Sequence, residues 1–311
     1  MELVDVGALD RATYVGGGDI AAVMGVNPWK TPLDVYLRLT GTPEPPPDPE
    51  QQKRWRRGKL MEPVVLQMLR DDYGIEVVAA NHRYRDPEHE FFAAEIDFEW
   101  RDADPRVRNG EIKTVHPFAA GKWGEAGTED VPIEYAAQSM WGLMITGREV
   151  CQYGVLFGSD NLALYHVYRD DETIAHMRET ALSFWHNHVL ARVPPPPMTA
   201  ADLKRLWPRE QRETIIATPE IVDVLQQHQA LGAEIKLLTE QRDELAFQIG
   251  AFVQDAATVI VMPDGTKLAT YKAQSRESLD GKALKAAHRD IYDQFARSTE
   301  FRVLRHSTLK G

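Results

Sequence analysis

The chain has 311 residues, 43% of them hydrophobic, a formal charge of −11 and one cysteine. It is long enough for one large domain or a domain with an appendage. No run of about 18 apolar residues occurs, so no membrane span is expected, and the opening "MELVDVGALDR" has neither the basic nor the apolar segment of a secretory signal. Cys151 alone excludes an intrachain disulfide, a cysteine-rich zinc site and a cysteine-ligated iron–sulfur cluster; it reads as a small buried residue in a reducing cytoplasm.

The predicted elements follow in chain order. A helix is expected from Ile20 with Asp19 as its cap, then a break at "NPWKTP" with Trp29 in the core. A second helix runs through "LDVYLRLTG" after Thr31 and stops at Gly41. "PEPPPDPE" (43–50) is an extended linker, because proline fixes φ and removes a donor. A long helix over 51–73 is closed by Gly74. Strand-like runs then occupy "EVVAANHRYR" (76–85), "FFAAEIDFEW" (91–100) and "NGEIKTV" (109–115). A helix over 133–147, strands at 150–158 and 162–169, and a helix over 171–191 complete the first part. This order predicts an α/β (mixed α+β) fold with a central mixed sheet flanked by helices. "PPPP" (194–197) ends it, giving a first domain of 1–195, a linker of 196–218 and an extension of 219–311.

The extension reads as a long helix over 219–254, a hairpin around Pro263-Asp264-Gly265, a helix over 281–296 and a last strand in "EFRVLRH". In the long helix Ile221, Leu225, Ile235, Leu238, Leu245, Ile249 and Phe252 recur at helical spacing. The stretch 228–232 interrupts them, so the heptads are imperfect. The stripe predicts self-association, partner docking or folding back onto the first domain.

Charge divides the same way. Residues 1–198 carry 20 Lys+Arg against 31 Asp+Glu, a balance of −11, while 199–311 carry 16 of each. An acidic first domain argues against generic adhesion to nucleic acid, yet leaves room for a local basic groove and for carboxylates that hold a divalent cation.

Three acidic groups draw attention. Asp97 lies in an otherwise apolar strand. Glu111 and Lys113, two apart on the next strand, share a face. Glu62 sits in "RGKLMEP" on the preceding helix. Adjacent strands lie about 4.8 Å apart, so Asp97 and Glu111 can meet, and two such carboxylates repel unless a cation lies between them. Oxygen ligands of this kind suit Mg²⁺, with Mn²⁺ as the alternative, and Lys113 is then placed to orient or deprotonate water for attack on a phosphodiester. An E-x-K on its own is more often a structural ion pair. Separately, "KRWRRGK" places Lys53, Arg54, Arg56, Arg57 and Lys59 around Trp55, a patch suited to tracking a nucleic-acid backbone while the indole stacks, or else a solvated helix face. His116 follows the E-x-K strand and reads as a solvated loop residue.

The blocks "GGGDIAAVMGVNPWKTPLDVYLRLTG", "RGKLMEPVV", "AAEIDFEW", "GEIKT" and "YAAQSMWGLMITG" occur in an order that closely resembles the YqaJ-type viral recombinase nucleases. These are relatives of lambda exonuclease in the PD-(D/E)XK superfamily, whose core is restriction-endonuclease-like. The resemblance covers roughly residues 11–190. It implies that Asp97, Glu111 and Lys113 are the D…E-x-K core and that the Ile112 carbonyl is a further metal ligand. It also implies that Glu62 is the helical glutamate and that Tyr135 and Gln138 form the family's Y-x-x-Q. Arg11 would contact a DNA 5′-phosphate, and Gly18 stands where the family commonly has a serine near that phosphate. The implied activity is Mg²⁺-dependent 5′-to-3′ digestion of one strand at double-stranded DNA ends, leaving 3′ single strands for phage-type recombination. A homo-oligomeric ring, a single-strand annealing partner and a bacterial cytoplasm, with phage or prophage origin, are implied with it. Another PD-(D/E)XK endonuclease, or a non-catalytic DNA-end-binding scaffold, are the alternatives.

Overall fold

The computed structural model describes residues 5–42, 47–101, 104–210, 214–254, 259–298 and 302–306. The chain divides into two compact units, residues 1–203 and 204–311. None of the described helices is long and apolar enough to cross a membrane.

The first unit is built on a five-stranded mixed sheet in the order β1 (Glu76–Arg85), β2 (Ala93–Arg101), β3 (Arg108–Val115), β4 (Val150–Phe157) and β5 (Asn161–Tyr168). Three of the four neighbouring pairs are antiparallel; β3 and β4 are parallel. Parallel neighbours need a crossover, and the connection between them carries the helix Ile133–Thr146. The helices of this unit are α1 (Gly17–Val23), α2 (Pro32–Leu39), α3 (Pro49–Tyr73), α4 (Ile133–Thr146) and α5 (Asp171–Phe184). The long helix and the crossover helix stop where the sequence predicts, because Gly74 and Gly147 take the left-handed conformation (φ 65° and 69°) that closes a helix. The α5 helix does not run on regularly to residue 191; its last turn widens into a π-helix at Trp185–Leu190, with Trp185 stacked on Phe91 at 4.4 Å.

Strand alternation sends β2 and β3 side chains to two different layers. Phe98, Trp100 and Ile112 face α3 and pack with its Val65, Leu66 and Leu69, and with Leu156 and Leu162. Each such burial contributes roughly 1.5–3 kcal/mol. Gly110 allows β2 and β3 to close tightly, since a Cβ there would lie 2.3 Å from the Phe98 ring. Asp97, Glu111 and Lys113 alternate to the other layer.

Local details depart from the sequence reading. The first helix begins at Gly17, with Gly16 as N-cap; Asp19 sits at its third position and accepts the Gly16 N–H at 3.0 Å. Trp29 is not core: it is 64% exposed, because the "NPWK" turn is folded by Asn27 Oδ1 accepting the Trp29 and Lys30 N–H groups (2.8 and 2.9 Å), which aims the indole outward. Beyond the proline run, Asp202 is buried and accepts the Thr31 hydroxyl at 3.1 Å.

In the second unit, α7 (Pro219–Val253) follows a short α6 (Ala200–Leu206) that spans the boundary. The hairpin is β6 (Val259–Val261) with β7 (Lys267–Thr270). The closing helix is two short ones, α8 (Gly281–Ala287) and α9 (Arg289–Phe295), because His288 leaves helical geometry (φ −141°, ψ 69°). The expected strand at 300–306 is not one: residues 302–306 join no ladder, and 300 and 301 lie outside the described residues.

Candidate active site

The β2–β3 ladder lasts three pairs, Trp100–Arg108, Glu99–Asn109 and Phe98–Gly110. One position further, Asp97 would face Glu111. There the backbones stop pairing, and a side chain takes over: Asp97 Oδ2 accepts the Ile112 N–H at 2.9 Å. The two strands thus open around Asp97 and Glu111, while β3 stays fully paired with β4 on its other edge.

Glu111 is 2% exposed. Its Oε2 accepts from Lys113 Nζ at 2.9 Å and from Gln138 Nε2 of α4 at 2.7 Å. Burial pushes its carboxyl up to about 8; Lys113 opposes this, and the adjacent Asp97 reinforces it. Burial alone would lower Lys113, but the attraction of Glu111 and Asp97 outweighs it and raises the ammonium above its ordinary value. Lys113 lies 5.3 Å from the Tyr135 ring centre and 5.9 Å from that of Tyr153, inside an aromatic wall closed by Trp123, which stacks on Tyr135 at 5.4 Å.

The α3 helix supplies the opposite wall. Glu62 and Lys59 form an ion pair at 2.8 Å, and with Arg54 and Trp55 they line a cleft against Ile112, Lys113 and Thr114. Lys59 also donates to Asn81 at 3.0 Å, and the Glu62 hydrogen bond raises its pKa, with smaller contributions from Asp97 and Glu95. Asp97 and Glu111 are therefore brought together, whereas Glu62 stands across the cleft and is held by Lys59. Among the described residues no three His, Cys, Asp or Glu side chains gather as a single cation-ligating group. The donor set itself suits a hard divalent cation. Two carboxylates abut, one half-buried and the other buried and held far above its usual range, and positive charge between them would relieve that cost.

Along α3, Lys53 pairs with Glu50 at 2.6 Å, while Arg54, Arg56 and Arg57 are exposed. Trp55 is 60% exposed and joins this cleft to a second, lined by Gly17, Gly18, Trp29, Lys30, Tyr135 and Gln138. A Cβ on Gly18 would meet nothing within 4 Å. Arg11 lies beside this region, its guanidinium 2.7 Å from Asp19 Oδ2 and 4.8 Å from the Tyr14 ring centre. The sequence reading missed Arg38, which holds the same Asp19 oxygen at 2.8 Å; nothing in its helix-face spacing marks it. It also missed a buried network two residues along β2, where Glu99 accepts from the Tyr84 hydroxyl and pairs with Arg148 at 3.1 Å. The period-two run Glu95, Asp97, Glu99 was the available signal. His116 remains exposed and caps the short turn Pro117–Lys122.

Comparison with known proteins places this geometry. Over 301 residues the chain is 27% identical to the YqaJ protein of Bacillus subtilis (strain 168), covering 94% of this chain and 91% of that one. Among solved structures it is similar to the alkaline exonuclease of Laribacter hongkongensis (21% identity, 63% of this chain and 94% of that one, TM-score 0.45). It is also similar to a phage-related exonuclease from Haemophilus somnus 129PT (13% identity, 58% and 96%, TM-score 0.40). The segment that carries Arg11, the α3 wall of the cleft, Asp97, Glu111, Lys113 and Gln138 is similar to a known family: residues 8–149 match the model of the YqaJ-like viral recombinase domain.

Proposed function

We propose that this protein is a Mg²⁺-dependent exonuclease that digests one strand of duplex DNA from its 5′ end and leaves a 3′ single strand for recombination. The observation that carries the reading is the opening of β2 from β3 at Asp97, which sets two carboxylates and Lys113 at the mouth of a basic, aromatic-lined cleft. The match of residues 8–149 to a viral recombinase domain model supports DNA as the substrate.

Asp97, Glu111 and the Ile112 carbonyl are the proposed cation ligands, with Glu62 as the third carboxylate of the set. A divalent cation bound there supplies Lewis-acid stabilisation of charge on the scissile phosphate. The chain's own groups do the rest. Water forms a bond to phosphorus as the P–O3′ bond breaks, giving a 5′-mononucleotide and a shortened strand. Lys113 orients that water through its N–H groups. A cation that neutralised these carboxylates would remove the attraction that raises Lys113 and leave burial to lower it, so its proton would be released more readily, the condition for accepting one from water. Gln138 fixes Glu111 in the rotamer that faces Asp97. Arg11 engages the 5′-phosphate, and Gly18 offers that phosphate backbone N–H only. Lys53, Arg54, Arg56, Arg57 and Lys59 track the backbone, with Trp55 and Tyr135 against bases or sugars. Self-association into a closed assembly around DNA, a single-strand annealing partner and action in a bacterial cytoplasm complete the proposal.

The test compares linear and covalently closed circular duplex with Mg²⁺ and with chelator. Release of nucleotides from linear DNA alone, abolished by the chelator, is expected. Equal cleavage of closed circles would replace the exonuclease with an endonuclease, and binding of ends without any release would leave a scaffold.

A further inference from the structure

The second unit presents a feature that the catalytic reading does not use. In α7, taking Ile221 as position a of a heptad puts Ile221, His228, Ile235, Arg242 and Ile249 at a. Val224, Leu231, Leu238, Leu245 and Phe252 then fall at d. The seam runs the length of the helix and is interrupted at two polar a positions, His228 and Arg242. Its eight apolar members are 48% to 82% exposed, although α7 is 35 residues and so about 52 Å long. Among the described residues, His306 meets the seam's His228 at 2.8 Å, and Val253, beside the seam at its C-terminal end, is buried.

We infer that a second copy of this chain covers the seam, with the two α7 helices antiparallel. The inference rests on the proposed self-association and says which surface carries it. An apolar a/d seam of this length is what a coiled-coil partner covers; isoleucine at a with leucine at d favours two strands in parallel pairs, so the orientation is decided by the polar a positions. Each seam side chain exposes on the order of 100 Å²; eight of them bring the helix to roughly the 800 Å² per partner of a standard interface.

Charge and size select the orientation. In a parallel, in-register pair Arg242 meets Arg242 and His228 meets His228, with only Gln241, Ala246, Gln227 and Gly232 flanking them at g and e; the seam itself offers no acid, and each arginine has only the exposed Asp243 of its own chain at 3.0 Å to offset its twin. In the antiparallel pair of full overlap, Ile221 lies opposite Phe252, Val224 opposite Ile249 and Ile235 opposite Leu238. Each polar a residue then faces a leucine, Arg242 against Leu231 and His228 against Leu245. The e positions beside those leucines are Gly232 and Ala246, small enough to let the long polar side chains pass out to solvent. The helix is thus complementary to its own reverse.

The full-length protein is tested by sedimentation and light scattering. The wild type is expected as an even-numbered assembly, and Leu238→Glu, at an exposed position, is expected to halve its mass with an unchanged circular dichroism spectrum. A monomeric wild type overturns self-association altogether. An oligomer whose mass Leu238→Glu leaves unmoved overturns this surface alone. Orientation is read by oxidation of Leu231→Cys and Arg242→Cys chains: mixed, they cross-link; singly, neither does. Cross-linking of either variant alone, or none in the mixture, overturns the antiparallel pairing.

Discussion

At the proposed metal site, the carboxyl of Glu111 would make cation binding a proton-releasing event. Folding raises this group from an ordinary glutamate value to about 8, through burial first and the neighbouring Asp97 next. At pH 7 a carboxyl with that value is protonated in roughly nine molecules of ten, and a cation takes only the ionised form. Binding Mg²⁺ should therefore release close to one proton at pH 7 and about a tenth of one at pH 9. Affinity should rise about tenfold per pH unit below 8 and level off above it. The same shift acts on stability without the cation. The Glu111 contribution is fully present below the unfolded glutamate value and is lost as pH rises through about 8, because the unfolded chain ionises first. Isothermal titration in two buffers of different ionisation enthalpy counts the protons, and thermal melts with and without Mg²⁺ follow the stability. Binding with no proton release at pH 7, or cation-free melting temperatures that climb between pH 5 and 8, would refute the assignment of Glu111 as a buried ligand held up by Asp97.

Other expectations follow from single contacts. Lys113→Ala should lower nucleotide release by about 10²–10⁴-fold, measured on linear duplex, while DNA retention on a filter changes little. Arg11→Ala should erase a preference for 5′-phosphorylated over 5′-hydroxyl ends; the lost charge-assisted bond is worth about 1.5–3 kcal/mol, or roughly 10- to 150-fold, and equal rates on both ends in the wild type would remove the role. Gly18→Ser finds open space in the structure and adds a hydroxyl beside the same region, so 5′-phosphate ends should be bound more tightly in a competition assay. Gly110→Ala drives a methyl into the Phe98 ring and should cost about 1–3 kcal/mol in urea unfolding.

The sheet was readable because its strands are β-branched and aromatic runs cut by turn residues, and Gly74 and Gly147 mark helix ends wherever they occur. Asp97, Glu111 and Lys113 could be paired on paper because strand alternation is strict. What the letters do not contain is where a ladder stops. The registers 98–110 and 97–111 look equivalent in sequence, yet the first is a backbone pair and the second a carboxylate on a peptide N–H. Trp29 illustrates a different loss. An indole in a turn between two helices is apolar enough for the core, and only the Asn27 turn sends it outward. Glu62 was placed on the correct helix, but its partner Lys59 is three residues away on the same face, an ordinary surface spacing whose consequence for the cleft needs coordinates.

Pro63 lies inside α3 and has no N–H for the carbonyl of Lys59. Every buried residue of that helix, Val65, Leu66 and Leu69, comes after it; the cationic segment comes before. The helix is mechanically a cantilever, clamped in the core at one end and weakened where the clamp begins. Tilting such an arm displaces its tip most and its root least. On the proposed function, a tilt about Pro63 would carry Arg54 and Trp55 furthest along the DNA and Glu62, one residue from the pivot, least. If those residues hold DNA as proposed, one missing hydrogen bond would let the grip move with little disturbance of the acidic site.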